Sequence, residues 1–161
     1  MPKKITIDLS AKSIDSAIKE VRKYKAWVLA KEKELRLRLA TLGASVASIK
    51  FSTAIYNGTN DVSVRVDDNG NTATIYAEGE SVAFIEFGAG AKYGYGHPRA
   101  GEFGAGPGTY PDGKGNWDNP KGWWYGNSEH TFGNPPAMAM YDAVQKMIEQ
   151  LTMIAKEVFS K

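Results

Sequence analysis

Apolar positions in the first third of the chain recur at helical spacing. Ile5, Ile7 and Leu9 alternate with Thr6 and Asp8, which reads as a short initial strand. Ser13 then offers an N-cap, with Asp15 in the first turn. From there Ile14, Ile18, Val21, Val28, Leu35, Leu39, Leu42, Val46 and Ile49 lie three, four or seven apart. They form one stripe of a helix of about thirty residues or more, with Lys, Arg and Glu on its other faces. A mean globular helix has about 11 to 12 residues, so one small core cannot cover this stripe and part of it should pack on another chain. Gly43 is expected to kink or interrupt the helix, because a mid-helix glycine costs about 1 kcal/mol relative to alanine.

Phe51, Thr53 and Ile55 fit either a strand or the end of the helix, and Asn57-Gly58-Thr59-Asn60 closes the segment. Val62, Val64 and Val66 alternate with polar residues, Asn69-Gly70 supplies a tight turn, and Thr72 to Ala77 alternates again, which predicts a β-hairpin ended by Gly79. Ser81 to Pro136 then carries 13 of the 17 glycines, six of the seven prolines, three of the four tryptophans and both histidines. It opens with the apolar run Val82-Ala83-Phe84-Ile85-Glu86-Phe87-Gly88. Pro135-Pro136 is expected to start a last helix over Ala137 to Phe159, because proline is tolerated at the first helical position. Met140, Val144, Met147, Ile148, Leu151, Ile154, Ala155 and Val158 fall at helical spacing and supply its apolar face. The expected fold is α+β, with a long N-terminal helix and a C-terminal helix packed on a small antiparallel hairpin. Residues 1–161 read as a single domain with an extended Gly/aromatic loop insertion at about 88–134.

Charge changes this picture little. Twenty Lys and Arg face 18 Asp and Glu, and the net charge of +2 gives no global reason for a polyanionic partner. The basic excess between Lys12 and Arg38 has few aromatic rings among it, so it reads as a solvated helix face and direct DNA contact is not expected. The absence of cysteine removes disulfides, thiolate nucleophiles and Cys-ligated metals, in keeping with assembly in a reducing cytoplasm. No stretch approaches the ~20 apolar residues of a membrane span, and the chain reads as soluble, without an export signal.

Candidate chemistry fails on inspection of each motif. Gly108 to Lys114 has P-loop spacing, but Gly115 stands where Ser or Thr must hold magnesium, and Gly94-Tyr95-Gly96 and Gly88-Ala89-Gly90 lack the third glycine of a dinucleotide fingerprint. His97 and His130 have no further ligand spacing around them for zinc. Asp112, Asn116 and Asp118 match part of a calcium loop, but Lys114, Trp117 and Trp123 occupy positions that need a ligand, a glycine and the closing acid. Ser128-Glu129-His130 has triad residue types without triad geometry. No catalytic, cofactor-binding or metal-binding residue is therefore assigned, and the chain reads as a non-enzyme. The remaining lead is aromatic. Phe84, Phe87, Tyr95, Trp117, Trp123, Trp124 and Tyr125 form a candidate interface, since a loop of about forty residues in a small domain usually binds, closes as a lid or is disordered. Its aromatic content points to ordering on a partner.

Four segments together resemble a known family: Ala54-Ile55-Tyr56-Asn57-Gly58 followed by Val62 and Val64; Phe84-Ile85-Glu86-Phe87-Gly88-Ala89-Gly90; Gly122-Trp123-Trp124-Tyr125; and Asn134-Pro135-Pro136-Ala137-Met138. They are similar to the tail-completion proteins of long-tailed bacteriophages, also described as head-tail joining, neck or minor tail components. The resemblance implies an α+β virion subunit that sits in a ring of its own copies, between the head connector or stopper and the tail terminator or tail tube. It implies no cofactor, no membrane and no catalytic residue, with assembly in the host cytoplasm. A tail terminator is an alternative role in the same place. A carbohydrate-binding module stacking sugars on the aromatic loop is the alternative from another class, and a small enzyme using His97 or His130 is a more distant one.

Overall fold

The computed structural model describes residues 5–90, 92–93, 96–105, 120–125 and 129–160. Ala11–Ser52 form one continuous 42-residue helix, α1. Its N-cap is Ser10 rather than Ser13: Ser10 Oγ accepts from Ser13 N at 3.3 Å, and Asp8 Oδ1 accepts from Ser10 N at 2.8 Å. The expected strand at Ile5 to Leu9 does not form. Its polar groups serve the helix start instead, with Asp8 N donating to Ser13 Oγ at 3.0 Å, and among the described residues no strand lies alongside.

After α1, β1 (Ser63–Asp68) and β2 (Ala73–Glu78) pair antiparallel, with Val66 opposite Ile75 and Val64 opposite Ala77. Asn69 Oδ1 accepts from the N–H groups of Asn71 and Thr72 and shapes the turn. Arg36 fastens that turn to α1, donating from Nε to Asp68 Oδ1 at 3.1 Å and from Nη2 to Gly70 O at 2.7 Å. At the other end of the hairpin, Asp61 accepts from the N–H groups of Glu80 and Ser81 at 2.6 and 3.0 Å. These bonds set the start of a short helix, α2 (Val82–Phe87).

The insertion at 88–134 carries secondary structure of its own, contrary to a structureless loop. A 3-10 turn spans Ala100–Phe103, and β3 (Trp123–Tyr125) pairs antiparallel with β4 (Glu129–Thr131). The ribbon returns to α2 through backbone contact: Ala89 and Asn134 exchange N–H···O bonds of 2.9 and 3.1 Å. Glycine is required there, because a Cβ on Gly133 would lie 1.9 Å from Ala89 O and one on Gly90 2.4 Å from Phe132 O.

The last helix, α3, spans Ala139–Phe159 and so starts after Pro135-Pro136 rather than with them. Ala137 N and Met138 N donate to Ile85 O and Glu86 O of α2, which holds the segment extended, and Met138 adopts a left-handed conformation (φ 51°) before the helix begins. α3 runs antiparallel along α1. Lys50 pairs with Asp142, Arg38 Nη2 meets Glu157 Oε2 at 2.7 Å, and Trp27 meets Phe159 edge-on at 5.9 Å between ring centroids. Gly43 does not break α1; it is the crossing point. A Cβ there would lie 2.6 Å from Ile75 Cδ1 and 2.7 Å from Met147 Sδ. Phe51, Ala47, Ile85, Ala139 and Ala143 make the centre of the core, with Val62, Val64 and Ala77 packed against it from the hairpin side. The small residues in this seam let the helix axes approach closely. Among the described residues, no helix is long and apolar enough to cross a membrane.

Replacing Phe51, which is 1% exposed, by alanine should cost about 3 to 5 kcal/mol in urea unfolding. The two N–H groups on Asp61 hold its carboxyl below the ordinary value, so it adds stability above the unfolded-state pKa that is lost as pH falls through the lower folded-state value. An Asp61→Asn variant should therefore lose less stability than the native chain between about pH 5 and pH 2, as read by thermal unfolding.

Candidate functional site

Glu86 is the one charged residue in an otherwise apolar run on α2, and the fold buries it. Its carboxylate lies at the start of α3, accepting from Met140 N at 2.9 Å through Oε2 and from Tyr141 N at 3.1 Å through Oε1. The first N–H groups of a helix lack intrahelical acceptors and carry the positive end of its dipole, so a carboxylate is favoured there. Here the cap comes from a residue more than fifty positions away. His97, equally buried, places Nε2 3.1 Å from Glu86 Oε1, and its Nδ1 accepts from Arg99 N at 3.1 Å. The ring proton therefore sits on Nε2 and is donated to Glu86. Both ring nitrogens are bonded within the protein, and the pair holds the insertion against α3.

A groove of about 420 Å³ lies beside this pair, between the end of β2, α2, the 3-10 turn and the start of α3. Val82, Ala83, Phe87, Phe103, Met140 and Val144 supply its apolar walls. Phe87 packs edge-on to His97 at 4.5 Å and against Phe103 at 5.3 Å. Arg99 closes one rim: it lies over Phe103 and donates to Glu102 from Nε and Nη2 at 2.8 and 2.7 Å. The Arg99 bonds hold the Glu102 carboxyl below its ordinary value, and Glu102 raises Arg99 in turn.

The predicted interface residues divide between the interior and the surface. Phe84 is half-buried, and its carbonyl accepts from Asn134 Nδ2 at 2.8 Å. Phe87 lines the groove. Trp123 turns inward, its ring against the Gly90 backbone. Trp124 points the opposite way and is 65% exposed, because successive side chains on a strand alternate faces. His130 sits edge-on to both Trp124 and Phe132 at 4.9 Å, giving the ribbon an exposed row of three rings. Tyr125 belongs to β3 by its backbone, opposite Glu129. Tyr95 and Trp117 lie outside the described residues, as do the P-loop-like and calcium-like segments and Ser128.

Sequence reasoning assigned no role to Glu86, Arg99 or Tyr141. One signal was present for Glu86: a carboxylate amid Phe84, Ile85 and Phe87 must either face solvent or find buried donors. Comparison with protein-family models, with curated proteins and with solved structures finds no match.

Glu86→Ala should lose about 3 kcal/mol or more in urea unfolding, because it strands two helix N–H groups and the His97 ring together. Glu86→Gln, which keeps one acceptor oxygen, should lose less. Nitrogen-15 NMR of the imidazole should find the proton on Nε2 of His97; a proton on Nδ1 would rule out the Arg99 bond.

Proposed function

We propose that this protein is a non-catalytic structural subunit of the neck of a long-tailed phage virion, a tail-completion protein. In this reading it forms a ring of its own copies that joins the tail, through the tail terminator or tail tube, to the head connector or stopper. The observation that carries the reading is the overhang of α1. α3 reaches only to Trp27, so about sixteen residues of α1, about 24 Å of helix, extend past it with Ile14, Ile18 and Val21 exposed. A helix laid out this way stays incompletely covered until a neighbouring subunit arrives.

The four segments that carry the family resemblance give further support, because they meet in space. Ala54, Tyr56, Val62 and Val64 pack with Ala137 against the core that contains Ile85, Trp123 packs on Gly90, Asn134 bonds to Phe84 and Ala89, and Met138 bonds to Glu86. A tail terminator would use the same subunit at the adjoining ring.

A second reading, a carbohydrate-binding module, draws on the exposed Trp124, His130 and Phe132 rings, which could stack on a sugar. It predicts glycan binding by the isolated protein that Trp124→Ala abolishes.

Electron microscopy of lysates from a phage with this gene inactivated tests the neck reading. Filled heads and finished tails that remain unjoined are the expected result; whole particles that fail to adsorb would overturn it. Trp124→Ala should lower infectious particle yield while shifting the melting temperature by no more than about 2 °C, since the ring packs on little else in the subunit. Trp123→Ala, by contrast, should destabilise the subunit itself.

A further inference from the structure

We propose that the overhanging N-terminal sixteen or so residues of α1 dock head-to-tail in the groove between β2, α2 and α3 of a second copy of this chain. The inference deepens the ring-subunit reading and rests on it for closure of the contacts into a ring.

The two surfaces match in shape. Ile14, Ile18 and Val21 stand at i, i+4 and i+7, the spacing by which one face of a helix fills an apolar groove, and they are 43%, 44% and 55% exposed. The groove, walled by Phe87, Phe103, Met140 and Val144, is open and of about 420 Å³.

They also match in charge. The overhang carries Lys12, Lys19, Arg22, Lys23 and Lys25 against Asp15 and Glu20, and Arg22 and Lys25, which flank the apolar stripe, have no carboxylate partner among the described residues. The end of the hairpin that adjoins the groove carries Asp61, Glu78 and Glu80. Of these only Glu78 has a cationic partner among the described residues, Arg65 at 2.7 Å. Two overhangs packed on each other would bring net positive charge together, which opposes self-pairing of the stripe, while the acidic end of the hairpin beside the groove, on the side away from the Arg99 rim, attracts it.

Position excludes the same-chain alternative. The overhang leaves the body beside Phe159 at the C-terminal end of α3, whereas the groove lies at Met140 to Val144 near its N-terminal end. About fifteen helical residues, about 22 Å, separate them, so a chain cannot fill its own groove. A projection at one end and a matching groove at the other define a heterologous contact, which closes into a ring when the rotation per subunit permits.

The native chain contains no cysteine, so engineered thiols report this contact without background. Under mild oxidation, a double variant with Ile18→Cys and Val144→Cys should give a ladder of dimers, trimers and higher species on non-reducing gels. Each single variant should stay monomeric, and an equimolar mixture of the two should stop at dimers. Arg22→Glu in the double-cysteine background should lower the ladder severalfold, and adding Glu80→Lys should restore it. Dimers from Ile18→Cys alone, or a double variant that gives no ladder, would overturn the proposal. The gel reads the contact and the phage lysate reads the neck role, so each can fail alone. A ladder with normally joined particles in the gene-inactivated phage removes the neck reading and keeps the contact. Unjoined heads and tails without a ladder do the reverse.

Discussion

The buried carboxylate of Glu86 ties the molecule together. It takes the first free N–H groups of α3 on one side and the His97 ring on the other, so it fixes where the last helix begins and where the insertion leaves α2. The main chain reinforces it, with Ala137 and Met138 donating to the carbonyls of Ile85 and Glu86. A buried charge is tolerated only when donors surround it, and the helix start supplies them. The left-handed Met138 and the delayed start of α3 follow from the same arrangement, since the chain must run extended past α2 before it can turn into a helix.

Around that point the molecule separates an inner seam from two outward surfaces. The seam is made of small residues, Ala40, Gly43, Ala47, Ala139 and Ala143, that let α1, α3 and the hairpin meet closely around Phe51 and Ile85. The outward surfaces are the overhanging N-terminal part of α1 and the ring-bearing β3–β4 ribbon. Each presents exposed apolar side chains, Ile14, Ile18 and Val21 on α1 and Trp124 and Phe132 on the ribbon.

Aromatic residues play opposite parts at adjacent positions. Trp123 folds the ribbon onto Gly90 while Trp124 faces solvent, and Phe87 holds His97 in place while Phe132 extends the exposed row with His130. Glycine at 90 and 133 has a structural use, allowing two backbones to touch. The Gly/aromatic composition that looked like an unstructured loop thus includes part of the body's own packing.

Sequence by itself determined the elements whose signal is local. The 3.6-residue period fixed the existence of α1 and α3, and Asn69-Gly70 between alternating valines fixed the hairpin, because these patterns need only neighbours in the chain. The apolar stripe of α1 also showed that the helix was too long for one small core. Tertiary structure decided what depends on distant partners. Gly43, which weakens an isolated helix, is where Ile75 and Met147 cross α1; Ile5 to Leu9, alternating like a strand, has no strand to join among the described residues; and Pro135-Pro136 stays outside α3 because α2 claims the following N–H groups. Glu86 shows the same division most clearly. Its burial could be asked from the apolar residues beside it, but the donors that satisfy it lie more than fifty residues further along the chain, and only the folded structure brings them together.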